Sequence, residues 1–268
     1  MQHIRKLFWF FLFASAVSDL QAQTIEFGLN AGGAGYVGDL NQNELFKISG
    51  ISAGAYVKMN LDPYWALGLH YTYGRIKADD SESGNSQFRD RNLNFKTSLN
   101  EISLQLDFNF FEYFVGGGRR NFSPYIFTGA GAVLFNPKGI YDGNQYKLRF
   151  YMTEGQGGAY KNYAFNIPYG VGMKARLKEN WGFFIQVGYR TVYSDYIDDV
   201  SGRYPNESSW PEKDSPELRA TRRRLSDPSI TQYGTPGIQR GDFRKRDTYM
   251  FVGIGISYTF VSQKCYTF

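Results

Sequence analysis

The chain has 268 residues, a formal charge of +5, 18% aromatic residues and a mean hydropathy of −0.43. With 21% charged residues, and no apolar run outside the N-terminus near the roughly 20 residues of a spanning helix, it is not a helical membrane protein. A single cysteine, Cys265, excludes an intrachain disulfide and a cysteine-based zinc site.

Residues 1–22 read as a secretory leader: Arg5 and Lys6, then the apolar run 7–17, then Leu20-Gln21-Ala22 before a cut at Gln23. Losing Arg5, Lys6 and Asp19 with it leaves +4, a mild excess that does not point to nucleic acid. Residues 23–268 are expected to form a single outer-membrane barrel domain. The 21 Tyr, 23 Phe and 30 Gly suit that class, because only alternate residues of a barrel strand need be apolar.

Strict alternation of side chains predicts strands near 24–34, 51–61, 65–75 and 93–111. In the fourth, Ile102, Leu104, Leu106, Phe108 and Phe110 face out, and Glu101, Ser103, Gln105, Asp107 and Asn109 face in. Its start, 94–100, is too polar on the outer face for lipid and is expected to rise above the membrane. A fifth strand is expected at 123–135, where both faces are apolar or small. A sixth is expected at 164–177, with a bulge or gap at Pro168, and a seventh at 181–194. The last, 247–260, places Met250, Val252, Ile254, Ile256, Tyr258 and Phe260 on its lipid face. The whole reads as an all-β, eight-stranded antiparallel transmembrane barrel whose narrow lumen its own side chains fill.

The connections at 62–64, 112–122 and 178–180 are short, whereas 36–50, 76–92, 136–163 and 195–246 are long and polar. Outer-membrane barrels turn short connections to the periplasm and long ones outside, which places both termini in the periplasm.

The predicted lumen carries Glu26, Glu101 and Asp107 with Lys58, Lys174, Arg176 and Arg190, a mixture that suggests internal ion pairs. His70, the only histidine after the leader, is a conceivable base for Ser52 or Ser103, but no orienting acid can be named, and no catalytic residue is assigned. Asp195, Asp198 and Asp199 form a weak calcium candidate that lacks a full ligand set. No cofactor is expected: Gly32-Gly33-Ala34-Gly35 has neither the Lys-Ser/Thr nor the helix of a phosphate loop. Arg219, Arg222, Arg223 and Arg224, then Arg240, Arg244, Lys245 and Arg246, form basic clusters. These would meet lipid phosphates or an acidic partner, or else simply be solvated.

Five stretches carry a resemblance: GLNAGGAGYVGDLN (28–41), LNEISLQLDFNFFEY (99–113), FSPYIFTGAGAVLFNPKG (122–139), IPYGVGMKARLKENWGFFIQVGYRTVYSDYIDDVSGRY (167–204) and QRGDFRKRDTYMFVGIGISYTF (239–260). Together they resemble the PorG-type outer-membrane barrels of Bacteroidetes, most specifically at SDYIDDVSGRY. The resemblance implies a non-enzymatic structural part in type IX secretion and gliding. Its partners would be outer-membrane lipid, a periplasmic ring lipoprotein and its companion (PorK and PorN type), and other type IX outer-membrane components. Contact candidates on the periplasmic side are Gly117, Glu179, Gln263, Cys265, Tyr266 and Phe268. Cys265 is also a candidate for an intermolecular disulfide. The alternatives are an enzyme acting on outer-membrane lipid and a passive, adhesin-like barrel displaying its loops.

Overall fold

The structure, a computed structural model, describes residues 24–113, 120–178, 180–242 and 244–260. The stretch expected to be a leader, and Gly117, Glu179, Gln263, Cys265, Tyr266 and Phe268, lie outside the described residues. Ten strands follow in order: β1 (Thr24–Val37), β2 (Ile48–Asn60), β3 (Trp65–Asp79), β4 (Asn94–Asn109), β5 (Phe122–Leu134), β6 (Lys138–Tyr141), β7 (Asn144–Lys147), β8 (Tyr163–Lys178), β9 (Trp181–Val192) and β10 (Thr248–Phe260). Eight of them, all but the β6–β7 hairpin, pair antiparallel with their neighbours, and β10 pairs with β1 to close the barrel. Closure leaves no edge, which a sheet in lipid requires.

Alternation holds through the wall. Glu26, Lys58, Glu101, Asp107 and Lys174 are buried inside, while Leu29, Val57, Ile102, Leu104 and Ile185 are exposed outside. Bulky interior rings lie directly over interior glycines: a Cβ at Gly28 would clash with the Tyr56 ring, and one at Gly172 with the Tyr125 ring. In β5, Tyr125, Phe127 and Val133 face in while Ile126 and Leu134 face out, which resolves the stretch that alternation left ambiguous. At Pro168 the β8–β9 ladder runs on unbroken, and the gap falls on the other side, between the Thr128–Tyr169 and Gly131–Asn166 pairs. Proline lacks the N–H that this second ladder would use.

Both termini of the barrel and the short connections share one end, as Ile25 pairing with Phe260 requires. At the 61–64 turn the Asp62 carboxylate accepts from the backbone N–H groups of Tyr64 and Trp65, at 2.7 and 2.8 Å.

The long connections at the opposite end fold into a cap. They contain the β6–β7 hairpin and two helices, α1 (Ser86–Arg91) and α2 (Pro216–Ser226). α2 starts on a Ser215 cap to Leu218 N–H, with Pro216 at its first turn and Arg223 and Arg224 in its last, the arrangement that favours a short helix. The apolar core sits in this cap. Tyr36, Ile76, Phe95 and Leu99 from the upper strands pack with Leu40, Leu93, Leu148, Ile197, Val200 and Leu225 from the connections. Met250, expected in lipid, is buried. It faces outward, but the first long connection crosses the wall beside it, where the Tyr189 hydroxyl donates to Leu45 C=O at 3.1 Å.

Candidate functional site

Two polar constellations stand out, one in the lumen and one in the cap. In the lumen, Asp107 on β4 takes Lys58 of β2 at 2.5 Å and Lys174 of β8 at 3.2 Å. Lys58 lies over the Tyr56 ring and Lys174 over the Tyr125 ring, each 4.5 Å from the centroid. Higher up, Glu101 pairs with Arg190 at 3.2 Å and accepts from Asn166 at 3.0 Å and from Tyr249 at 2.5 Å. Glu26 accepts from the Tyr56 hydroxyl at 2.6 Å. These charges lie on strands far apart in sequence and meet because the barrel is narrow enough for side chains to reach across it. Arg176 lies nearer the barrel mouth. It is half-buried at the short-turn end and donates to Asn121 at 2.6 Å.

Among the described residues, neither Ser52 nor Ser103 is hydrogen-bonded to His70. The Ser52 hydroxyl donates to Gly33 C=O at 3.1 Å, and the Ser103 hydroxyl donates to Glu101 at 3.2 Å. His70 leans against Tyr56, ring centroids 4.9 Å apart, and its Nε2 has no partner. A serine activated by a base needs the hydrogen bond that is missing here.

The cap separates the three aspartates expected to form one group. Asp199 belongs to a buried ion-pair cluster with Arg240 at 3.6 Å, and it also accepts from Thr153 at 2.5 Å and Tyr160 at 2.7 Å. Asp198 accepts the Tyr36 hydroxyl. Asp195 instead joins Asp39 and Asp247, with carboxylate oxygens within 4.8 Å of one another. Burial raises all of these acids: Asp39 to about 8, Asp195 and Asp199 to about 6, and Asp198 and Asp247 well above the carboxylate range. The trio could supply oxygens to a cation; with one oxygen from each, most of the roughly six to eight that Ca²⁺ takes would have to come from other groups.

Much of the arginine content expected at the surface is spent inside. Arg240 is buried against Glu154 at 3.1 Å; burial works against its charge, yet Glu154 and Asp199 outweigh it and raise the pKa. Arg222 pairs with Asp214 at 3.0 Å. Arg91, which the sequence did not single out, pairs with Asp80 at 2.6 Å and donates to Arg240 C=O at 2.7 Å and Asp39 C=O at 3.0 Å. One guanidinium thereby ties the first, second and fourth long connections together. Arg219, Arg223, Arg224, Arg244 and Arg246 stay nearer the surface; Arg223 pairs with Glu207 at 2.6 Å, Arg244 with Asp242 at 2.8 Å, and Arg246 lies 4.0 Å over the Tyr193 ring.

A closed eight-stranded barrel with an apolar outer band and a charged, packed interior defines an outer-membrane β-barrel protein. The chain belongs to the family described as "Domain of unknown function (DUF6089)", which matches residues 5–214. Solved structures with a similar fold include Neisserial surface protein A, at 13% identity, TM-score 0.40, over 88% of this chain and 97% of that one. The N-terminal barrel of Pseudomonas aeruginosa OprF matches at 14% identity, TM-score 0.36, over 88% and 97%. A major outer membrane protein of Thermus thermophilus matches at 14% identity, TM-score 0.37, over 88% and 99%. Such values say nothing of activity. No curated protein matches the sequence.

Proposed function

We propose that this protein is a non-enzymatic structural component of the type IX secretion and gliding machinery, anchoring or positioning a periplasmic lipoprotein ring of the PorK and PorN type at the outer membrane. The reading grows from the resemblance to PorG-type barrels along nearly the whole mature chain. The observation that carries it is the lumen, where Asp107 with two lysines and Glu101 with Arg190 fill the interior instead of lining a path. In this reading the barrel acts through its surfaces, with the short-turn end and both termini facing the periplasm and the cap facing outward.

The test is crosslinking from Gly117, Glu179 and Gln263, which should capture a periplasmic lipoprotein or its ring companion. Deleting 262–268, which removes Cys265, Tyr266 and Phe268, should weaken that capture while the barrel stays folded. Aromatic residues are favoured at interface cores, which is why this tail is chosen. No capture at any of the three positions, with normal secretion in the deletion strain, ends the ring-anchor reading. The folded, ion-paired cap favours a second reading, a barrel that displays a rigid external surface. Under it the loss of cap residues, not of the tail, would abolish function.

A further inference from the structure

Four lysines lie side by side on the outer face of the wall. In register, Lys77 of β3 stands opposite Lys96 of β4, Lys96 opposite Lys138 of β6, and Lys138 opposite Lys147 of β7. Directly opposed residues hold their Cβ atoms about 5 Å apart, and like charges so placed repel. Lys77, Lys96 and Lys147 are exposed and Lys138 is half-buried, so each ammonium can reach solvent. One row nearer the membrane Arg75 adds a fifth cation, its Nε donating to the Tyr73 hydroxyl at 2.7 Å.

None of the five is in an ion pair among the described residues. Asp79, Glu82 and Glu44 line the cleft above Lys77 and Lys96 without forming an ion pair with either. Asp79, one row farther out, caps a short helical turn through Ser81, and Asp142 sits in the β6–β7 turn. Beneath the row runs a groove of about 440 Å³ lined by Arg75, Lys96 and Lys138 with the amides of Asn100, Asn162 and Gln145, and without a carboxylate.

Height decides what can meet this surface. Below Lys96 the outward residues of β4 run Ser98, Asn100, Ile102, Leu104, and the last two are apolar and exposed. At about 3.4 Å per residue and a tilt of about 40°, Lys96 lies roughly 15 Å above Ile102. Arg75 and Ser98 stand about a row lower, and long lysine stems reach back toward the membrane. The patch therefore lies above the apolar band on the cap side, where side chains that extend back along the wall come within reach of the headgroup layer.

We propose that this lysine row, with Arg75 and the groove, binds the phosphorylated headgroup of an outer-leaflet glycolipid. Phosphate oxygens would supply the countercharge that the fold leaves out, and the amides would hydrogen-bond the sugars between the phosphates. The repulsion built into the empty row is relieved on binding. The proposal uses the orientation of the preceding subsection but not the ring role.

The test uses the full chain in nanodiscs, with lipid A carrying its phosphates, the same lipid dephosphorylated, and inorganic phosphate as probes. A variant with Lys77→Gln, Lys96→Gln, Lys138→Gln and Lys147→Gln should bind phosphorylated lipid A at least ~10-fold more weakly than the parent. The matching Lys→Arg variant should retain binding, and heat-modifiable mobility confirms folding of both. Without lipid A the glutamine variant should melt higher than the parent; with it the order should reverse. Unchanged affinity in the glutamine variant, equal binding of dephosphorylated lipid, or equal competition by inorganic phosphate overturns the proposal. Binding in nanodiscs does not depend on orientation in the cell, so protease access on intact cells reports separately on that assumption.

Discussion

Asp107 sits between two ammonium groups, Lys58 at 2.5 Å and Lys174 at 3.2 Å, with the carboxylate and both lysines buried in the barrel lumen. One acid thus joins β2, β4 and β8 across the interior. Removing it leaves two buried cations facing each other.

Asp107→Leu should therefore destabilise the folded barrel by about 3–5 kcal/mol, the usual cost of breaking a buried pair from one side. Urea titration in detergent, followed by heat-modifiable mobility, measures it. Arg176→Leu should cost less, because Arg176 is half-buried at the mouth and bonds Asn121 there. Equal losses for the two variants would refute the central role of Asp107.

Purified protein in planar bilayers should give no steady porin-like conductance, since Glu101, Arg190, Asn166 and Tyr249 fill the lumen above Asp107. A large, stable conductance would show that the interior opens.

Arg91→Ala should loosen the cap and spare the barrel. The side chain bonds Asp80, the Arg240 carbonyl and the Asp39 carbonyl, so its loss frees three connections at once and strands a buried carboxylate. Proteolysis of the purified protein within 205–240 should accelerate several-fold while heat-modifiable mobility stays the same. Loss of both together would mean that cap and barrel fold as one unit.

Stability of the cap should fall as pH rises. Burial lifts Asp195 and Asp199 to about 6 and Asp39 to about 8, above their ordinary values near 4. Between those limits the folded protein holds more protons than the unfolded chain. The stabilisation is complete below about pH 4 and is lost as pH passes through about 6 and then about 8. Amide exchange of 195–201 and 238–242 should be slower at pH 5 than at pH 8 after correction for intrinsic rates. Slower corrected exchange at pH 8 would contradict the assignment.

On intact cells, an added protease should cut within 205–240, where Ile230 is 97% exposed, and leave 112–122 whole. Cutting confined to 112–122 with the outer membrane sealed would invert the orientation.

Alternation was enough to place seven of the eight wall strands, and only the closed sheet settled which face of β5 looks inward. Backbone geometry sends successive side chains to opposite faces, and in a lipid-bound barrel those faces have opposite chemistry, so Ile102 and Glu101 declare their sides locally. The membership of the lumen set, Glu26, Lys58, Glu101, Asp107, Lys174 and Arg190, was legible for the same reason. Its partnerships were not, because Lys58 and Lys174 reach Asp107 only after closure. The cap was hidden almost entirely. Polar composition reads as open loop, but Leu93, Leu148, Ile197 and Leu225 are scattered single apolar residues that gain a core only when four connections converge. Asp39 and Asp247 lie far apart in the sequence, and β1 pairing with β10 brings them beside Asp195. The lysine row had the weakest local signal of all. Lys77, Lys96, Lys138 and Lys147 are ordinary one by one, and only strand register, set by the closed sheet and its added hairpin, lines them up.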